Sequence, residues 1–130
     1  MPYADIEDRR QHQREYRLLN PEKIKVSKKN WRQSSRYKYG EIKKGAKKRE
    51  LNFQITYQEY VSVYWQQTCF YCPETNTKGI DRIDSSKGYT LDNCVPCCFT
   101  CNQMKSDYDF NEFINHINRI SAKSGTYKID

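Results

Sequence analysis

The sequence predicts an α+β fold: a small body of two strands and a helix stapled by a structural zinc, preceded by a basic, mostly helical extension and closed by a C-terminal helix. Three observations lead there. Two Cys-x-x-Cys pairs, Cys69-Phe-Tyr-Cys72 and Cys98-Phe-Thr-Cys101, enclose a loop-rich stretch of 25 residues. Residues 1–50 carry 16 Lys and Arg against 7 Asp and Glu, whereas the remainder carries 7 against 9. Near the C-terminus, Phe110, Phe113, Ile114, Ile117 and Ile120 recur at the spacing of one helix face.

Each element has its own signal. Residues 5–19 read as a charged helix ended by Asn20-Pro21, since proline cannot continue it. A second helix is expected over residues 22–39, with Gly40 and Gly45 punctuating the basic run after it. Residues 51–55 form a short extended segment that packs Phe53 and Ile55. Thr56 and Glu59 stand at capping-box spacing, so a helix starts there and runs to about Gln67. Strands are expected around 79–83 and 93–95, then a helix over 100–106. Asp109 followed by Glu112 opens the last helix, whose apolar face is read as core packing.

Composition bounds the rest. With 130 residues, 36% hydrophobic, and mean hydropathy −1.06, the chain holds one thin-cored body plus an extension. Aromatic residues at 14%, eleven of them Tyr, argue against wholesale disorder. No apolar run approaches the roughly 20 residues that cross a bilayer, so no membrane role is expected. The opening MPYADIEDRR has no apolar core of a secretory signal, which predicts an intracellular protein of the cytoplasm, nucleoid or nucleus. There, six cysteines read as metal ligands rather than disulfides.

A two-residue gap lets one turn aim two thiolates at one ion, and two such turns complete a tetrahedron. Cys69, Cys72, Cys98 and Cys101 are therefore expected to hold a structural Zn²⁺, with no position open for catalysis. Cys94-Val-Pro-Cys97 is a third such pair, but Cys98 and Cys101 immediately precede Asn102 at the expected helix start. Cys94 and Cys97 then become small buried fillers. The basic run WRQSSRYKYGEIKKGAKKR interleaves rings with cations, a pattern suited to a polyanion.

Between the knuckles lies GIDRIDSSKGYTLDNCVPCC, followed by TCNQMK. Over about residues 69–106 this resembles the HNH, or His-Me finger, nucleases, whose ββα-metal core wraps two strands and a helix around one metal. The family carries an acid-His pair on the first strand, an Asn before the second, and a His or Asn after the last Cys. Asp81-Arg82, Asn93 and Asn102 occupy those places here. The resemblance implies that Asp81 and Asn102 hold Mg²⁺ or another divalent ion, and that Asn93 fixes the loop through backbone hydrogen bonds. Arg82 stands where the family has its general-base His. A guanidinium is a poor proton acceptor at neutral pH, so Arg82 is expected to clamp phosphate, with Tyr89 a second candidate for holding the water or the scissile phosphate.

The resemblance implies a metal-dependent endonuclease acting on double-stranded DNA, with 51–130 as the nuclease domain; residues 1–50, which carry no match to the family, are expected from their charge to be a DNA-binding extension. Arg32, Arg36, Lys43, Lys44, Lys47, Lys48 and Arg49 are the expected backbone contacts. Lys105, one turn beyond Asn102, is expected to touch phosphate or to be a solvated cation. His12 and His116 read as surface or packing residues. A homodimer matches a palindromic target by symmetry, and the family's range includes phage- and virus-encoded enzymes. The alternative is a catalytically inactive zinc-containing nucleic-acid-binding module.

Overall fold

A computed structural model describes residues 4–126. Among them the order is three helices, α1 Ile6–Leu19, α2 Pro21–Arg32 and α3 Ser35–Lys48, then a short α4 Tyr57–Glu59 that continues as a π turn, Tyr60–Tyr64. Strands β1 Gly79–Arg82 and β2 Cys94–Cys97 follow, then α5 Phe99–Lys105 and α6 Phe110–Lys123. The mixed α+β class and its two-stranded core agree with expectation. No described helix is long and apolar enough to cross a membrane.

The helix ends obey local chemistry. Asp5 caps α1 by accepting from Asp8 N–H, and Pro21 opens α2 where its missing N–H costs nothing. The second helix is shorter than expected: it stops at Arg32, and Ser34 caps a new helix by accepting from Tyr37 N–H. Gly40 and Gly45 do not punctuate the run. Both lie inside α3, where nothing stands within 4 Å of a Cβ at Gly40. Thr56 and Glu59 form the full capping box, but the helix they start ends at Tyr64 rather than Gln67. Trp65 N–H donates to Tyr60 C=O five residues back, and this wide turn brings Tyr60 and Tyr64 into the core at 0% exposure.

The core places α3 differently from the expected boundary at residue 50. Ala46 of α3 is fully buried and packs with Ile55, Tyr60, Tyr64, Ile80, Tyr89 and Cys94, flanked by Tyr39 and Ile42. The packed body therefore begins with α3, while α1 and α2 bury no residue. Tyr39 is likewise no free stacking ring: its hydroxyl donates to Ile55 C=O at 2.7 Å, among Phe53, Tyr57 and Tyr60. On α6 only Phe113 is buried, and Ile120 is 43% exposed, so its apolar face is only partly core.

β1 and β2 pair antiparallel with Asp81 opposite Val95 and Arg82 opposite Cys94. Alternation sends Ile80 and Arg82 to one face and Gly79 and Asp81 to the other. The 51–55 segment is tied to the strand-connecting loop by Tyr89 N–H to Asn52 C=O, 2.7 Å, and Gln54 N–H to Tyr89 C=O, 2.8 Å. That contact needs Gly88, where a Cβ would stand 2.5 Å from the Asn52 carbonyl oxygen. Gly88→Ala is expected to cost about 1–3 kcal/mol by forcing these backbones apart, read as a lower denaturation midpoint in urea; an unchanged midpoint would show that the segment yields freely.

Candidate metal centre and active site

The ligand atoms of Cys69, Cys72, Cys98 and Cys101 all lie within 4.8 Å of one another. Cys72 Sγ and Cys98 Sγ are 3.7 Å apart, close to the roughly 3.8 Å edge of a tetrahedron with 2.3 Å metal–sulfur bonds. Backbone N–H groups converge on the sulfurs: Tyr71 and Cys98 donate to Cys69 Sγ at 3.4 and 3.3 Å, and Cys101 donates to Cys98 Sγ at 3.3 Å. Burial pushes the Cys69 thiol up, but the N–H donors of Cys98, Tyr71 and Cys72 outweigh it and bring it down to about 7. That favours the thiolate, the form that binds metal. The four cysteines can thus hold a metal ion. Cys94 and Cys97 lie outside the quartet and are buried, and burial pushes the Cys94 thiol up to about 11.

Asp81 sits on the β1 face turned toward α5 and is 4% exposed. One carboxylate oxygen accepts from the Tyr71 hydroxyl, and the other lies 3.2 Å from Lys105 Nζ. Lys105 also donates to Arg82 C=O at 3.1 Å and is 1% exposed. The expectation of a solvated or phosphate-touching Lys105 is therefore overturned: the helix turn that carries it faces the sheet, and burial in a low dielectric demands the Asp81 partner. Asn102, one turn earlier on α5, lies beside Gly79 instead, its Nδ2 3.7 Å from where a Cβ would be. Its side-chain amide has no hydrogen-bond partner among the described residues and lines a groove of about 910 Å³ between α3, the 72–79 loop and α5.

The opposite face of β1 carries the other predicted residues. Arg82 Nη1 donates to the carbonyls of Ser85 and Lys87 at 2.6 and 2.8 Å, and its guanidinium carbon lies 5.4 Å from the Tyr89 ring centre. Asn93 spans the 84–88 loop: its Oδ1 accepts from Asp84 N–H at 3.0 Å, and its Nδ2 donates to Asp84 C=O and Gly88 C=O at 3.1 and 2.9 Å. Tyr89 is 6% exposed, and its hydroxyl accepts from Arg49 Nη2 at 2.9 Å.

In the extension, Lys43, Lys44, Lys47 and Lys48 are exposed along α3, and Arg32 is exposed at the end of α2. Arg36 lies 3.8 Å over the Tyr57 ring. Two contacts escaped the sequence: Tyr71 on Asp81, and Arg49 on Tyr89. The first had one signal, a hydroxyl-bearing ring between two metal ligands; the second, forty residues apart, had none.

No family model matches the chain. It is 33% identical over 116 residues to an uncharacterized protein of Acanthamoeba polyphaga mimivirus, an alignment covering 87% of this chain and 22% of that protein. The chain thus spans about a fifth of the curated relative it matches. Its fold is similar to that of the rare-cutting HNH restriction endonuclease PacI, with a TM-score of 0.55 and 22% identity over 72% of this chain and 81% of that one.

Removing Lys105 leaves the Asp81 charge buried without its cation. Lys105→Met is expected to lower stability by about 3–5 kcal/mol, seen as a drop in Tm, whereas the double variant Lys105→Met with Asp81→Leu recovers part of that loss. A single variant as stable as the wild type would show that the buried pair contributes nothing to stability.

Proposed function

We propose that the chain is a metal-dependent DNA endonuclease of the HNH type, hydrolysing phosphodiester bonds and stapled by Zn²⁺ on the four cysteines. The observation that carries this reading is the Asn93 clamp. Three hydrogen bonds fix the loop joining β1 to β2, and that loop holds Arg82 through two of its carbonyls and leads into Tyr89. Side chains so tethered are pre-organised for one phosphate position, which is how positioning lowers a barrier. Likeness to the fold of a restriction endonuclease supports the same reading, and the mimivirus relative suits a virus-encoded enzyme.

A guanidinium offers donors and no acceptor, so the role of Arg82 is to hold phosphate rather than to take a proton. Asp81 and Asn102 are the residues that would hold a Mg²⁺-like ion. Carboxylate and amide oxygens suit a hard cation, the Asn102 amide is unpartnered, and each Asp81 oxygen keeps a spare lone pair beside its present bond. Such an ion would supply Lewis-acid charge on a phosphate oxygen. The lysines of α3 offer the backbone grip, and a homodimer would allow both strands to be cut.

A second reading, a catalytically inactive nucleic-acid-binding module, draws on one specific observation. Lys105 already neutralises Asp81, so a divalent ion there meets a cation close by.

Supercoiled plasmid with Mg²⁺ or Mn²⁺ decides between them. Nicking or linearisation is expected, falling about 10²–10³-fold in Asn102→Ala and in Arg82→Ala while zinc content is unchanged. DNA binding without cutting in every metal supports the inactive module. Replacing Lys43, Lys44, Lys47 and Lys48 together is expected to reduce the slope of log K against log salt by about 3–4; an unchanged slope would mean that α3 does not touch the DNA backbone.

A further inference from the structure

We propose that Arg49 and Arg82 together hold one substrate phosphodiester against the Tyr89 hydroxyl, so that the residue capping the C-terminus of α3 joins the reaction site itself. This rests on the nuclease reading above and adds to it a ligand from outside the strand–strand–helix core.

Both guanidinium groups converge on a single ring. Arg49 Cζ lies 6.0 Å and Arg82 Cζ 5.4 Å from the Tyr89 ring centre. Arg49 Nη2 donates to the phenol oxygen at 2.9 Å. Because that oxygen accepts from Arg49, its own proton is free to be donated elsewhere. Both arginines are tethered by backbone carbonyls: Arg49 Nε donates to Gly45 C=O at 3.1 Å, and Arg82 Nη1 to Ser85 and Lys87. Each guanidinium has five N–H donors, and about three on each remain unused after these bonds. Among the described residues neither arginine forms an ion pair. Of the two carboxylates on the β1–β2 loop, Asp84 is bound by Ser86 and lies 3.9 Å from Lys87 Nζ, and Asp92 accepts from the Thr90 hydroxyl.

Two unpaired cations at one ring repel each other, and an anion between them relieves the repulsion. A phosphodiester suits the donors: its two non-bridging oxygens can take the phenol proton and a fork from each arginine. The approach is also cationic. Lys43, Lys44 and Lys47 line a shallow hollow of about 450 Å³ with Phe53, whose ring centre is 5.4 Å from that of Tyr89. A phosphate track along α3 therefore ends at Arg49.

The test reads the clamp and the chemistry separately. In the first arm, the Nε–H signals of Arg49 and Arg82 are followed by NMR while a dinucleotide phosphodiester is added to the full chain. Both are expected to shift along one saturating curve, with affinity weakened at least about threefold in Tyr89→Phe, which removes a charge-assisted hydrogen bond. In the second arm, Arg49→Lys and Arg49→Ala are compared for plasmid cleavage and for DNA Kd. Both are expected to lose about 10–100-fold in kcat with little change in Kd, because a lysine point charge does not replace the fork. Movement of Arg82 alone, or of neither signal, overturns the proposal, as does full activity in Arg49→Ala. Joint movement in a wild-type protein that fails to cut DNA upholds the clamp and sinks the nuclease reading instead.

Discussion

Four cysteine sulfurs within 4.8 Å of one another set the geometry on which the rest of the site depends. They join the 69–72 turn to the start of α5, two stretches with little apolar surface between them. Cys98 is at once a member of the quartet and the N-cap of α5, accepting from Cys101 N–H, so whatever fixes its sulfur also fixes where that helix begins. A metal in such a quartet contributes on the order of 10 kcal/mol, comparable to the whole stability of a small domain. The same turn carries Tyr71, whose hydroxyl meets Asp81. The quartet is thus linked to the candidate catalytic strand from two sides, through α5 and Lys105 and through Tyr71.

Three of the seven buried residues of the main apolar core are tyrosines. Tyr60 and Tyr64 are fully buried, yet each hydroxyl finds a carbonyl, Lys78 at 2.6 Å and Cys94 at 3.3 Å. Tyr39 does the same with Ile55. A ring contributes a large buried area while its polar tip satisfies a loop carbonyl that would otherwise lie unpaired. Burial pushes the Tyr60 phenol well above its ordinary range and that of Tyr64 up to about 12, which keeps both protonated as donors. This is how a body with so few aliphatic residues encloses so much irregular backbone.

What the sequence disclosed and what it hid divide along a physical line. Features set by neighbours in the chain were legible: the two cysteine pairs, the Thr56–Glu59 cap, the strand around residue 81 and the Asp109 cap of α6. Features set by tertiary contact were not. The run 35–48 read as part of a basic DNA-binding extension because its charges outnumber its apolar residues, yet three of its residues, Tyr39, Ile42 and Ala46, fall on one side and dock. Lys105 read as a surface cation because nothing local marks a lysine for burial; its partner Asp81 lies 24 residues away. Asn93 stood between these cases. Its position was visible, while its three bonds to the 84–88 loop required the fold.

α3 is a helix with two allegiances. Its inner side is constrained by packing around Ala46, whereas Lys43, Lys44, Lys47 and Lys48 on the outer side are exposed. Substitutions on the outer side carry almost no folding penalty, so drift there is tolerated and selection on it concerns only what the surface meets. The outward positions of α3 can therefore change charge and shape without disturbing the cysteine quartet or the sheet. The division makes the chain an adaptable frame: constraint and freedom fall on opposite sides of the same helix.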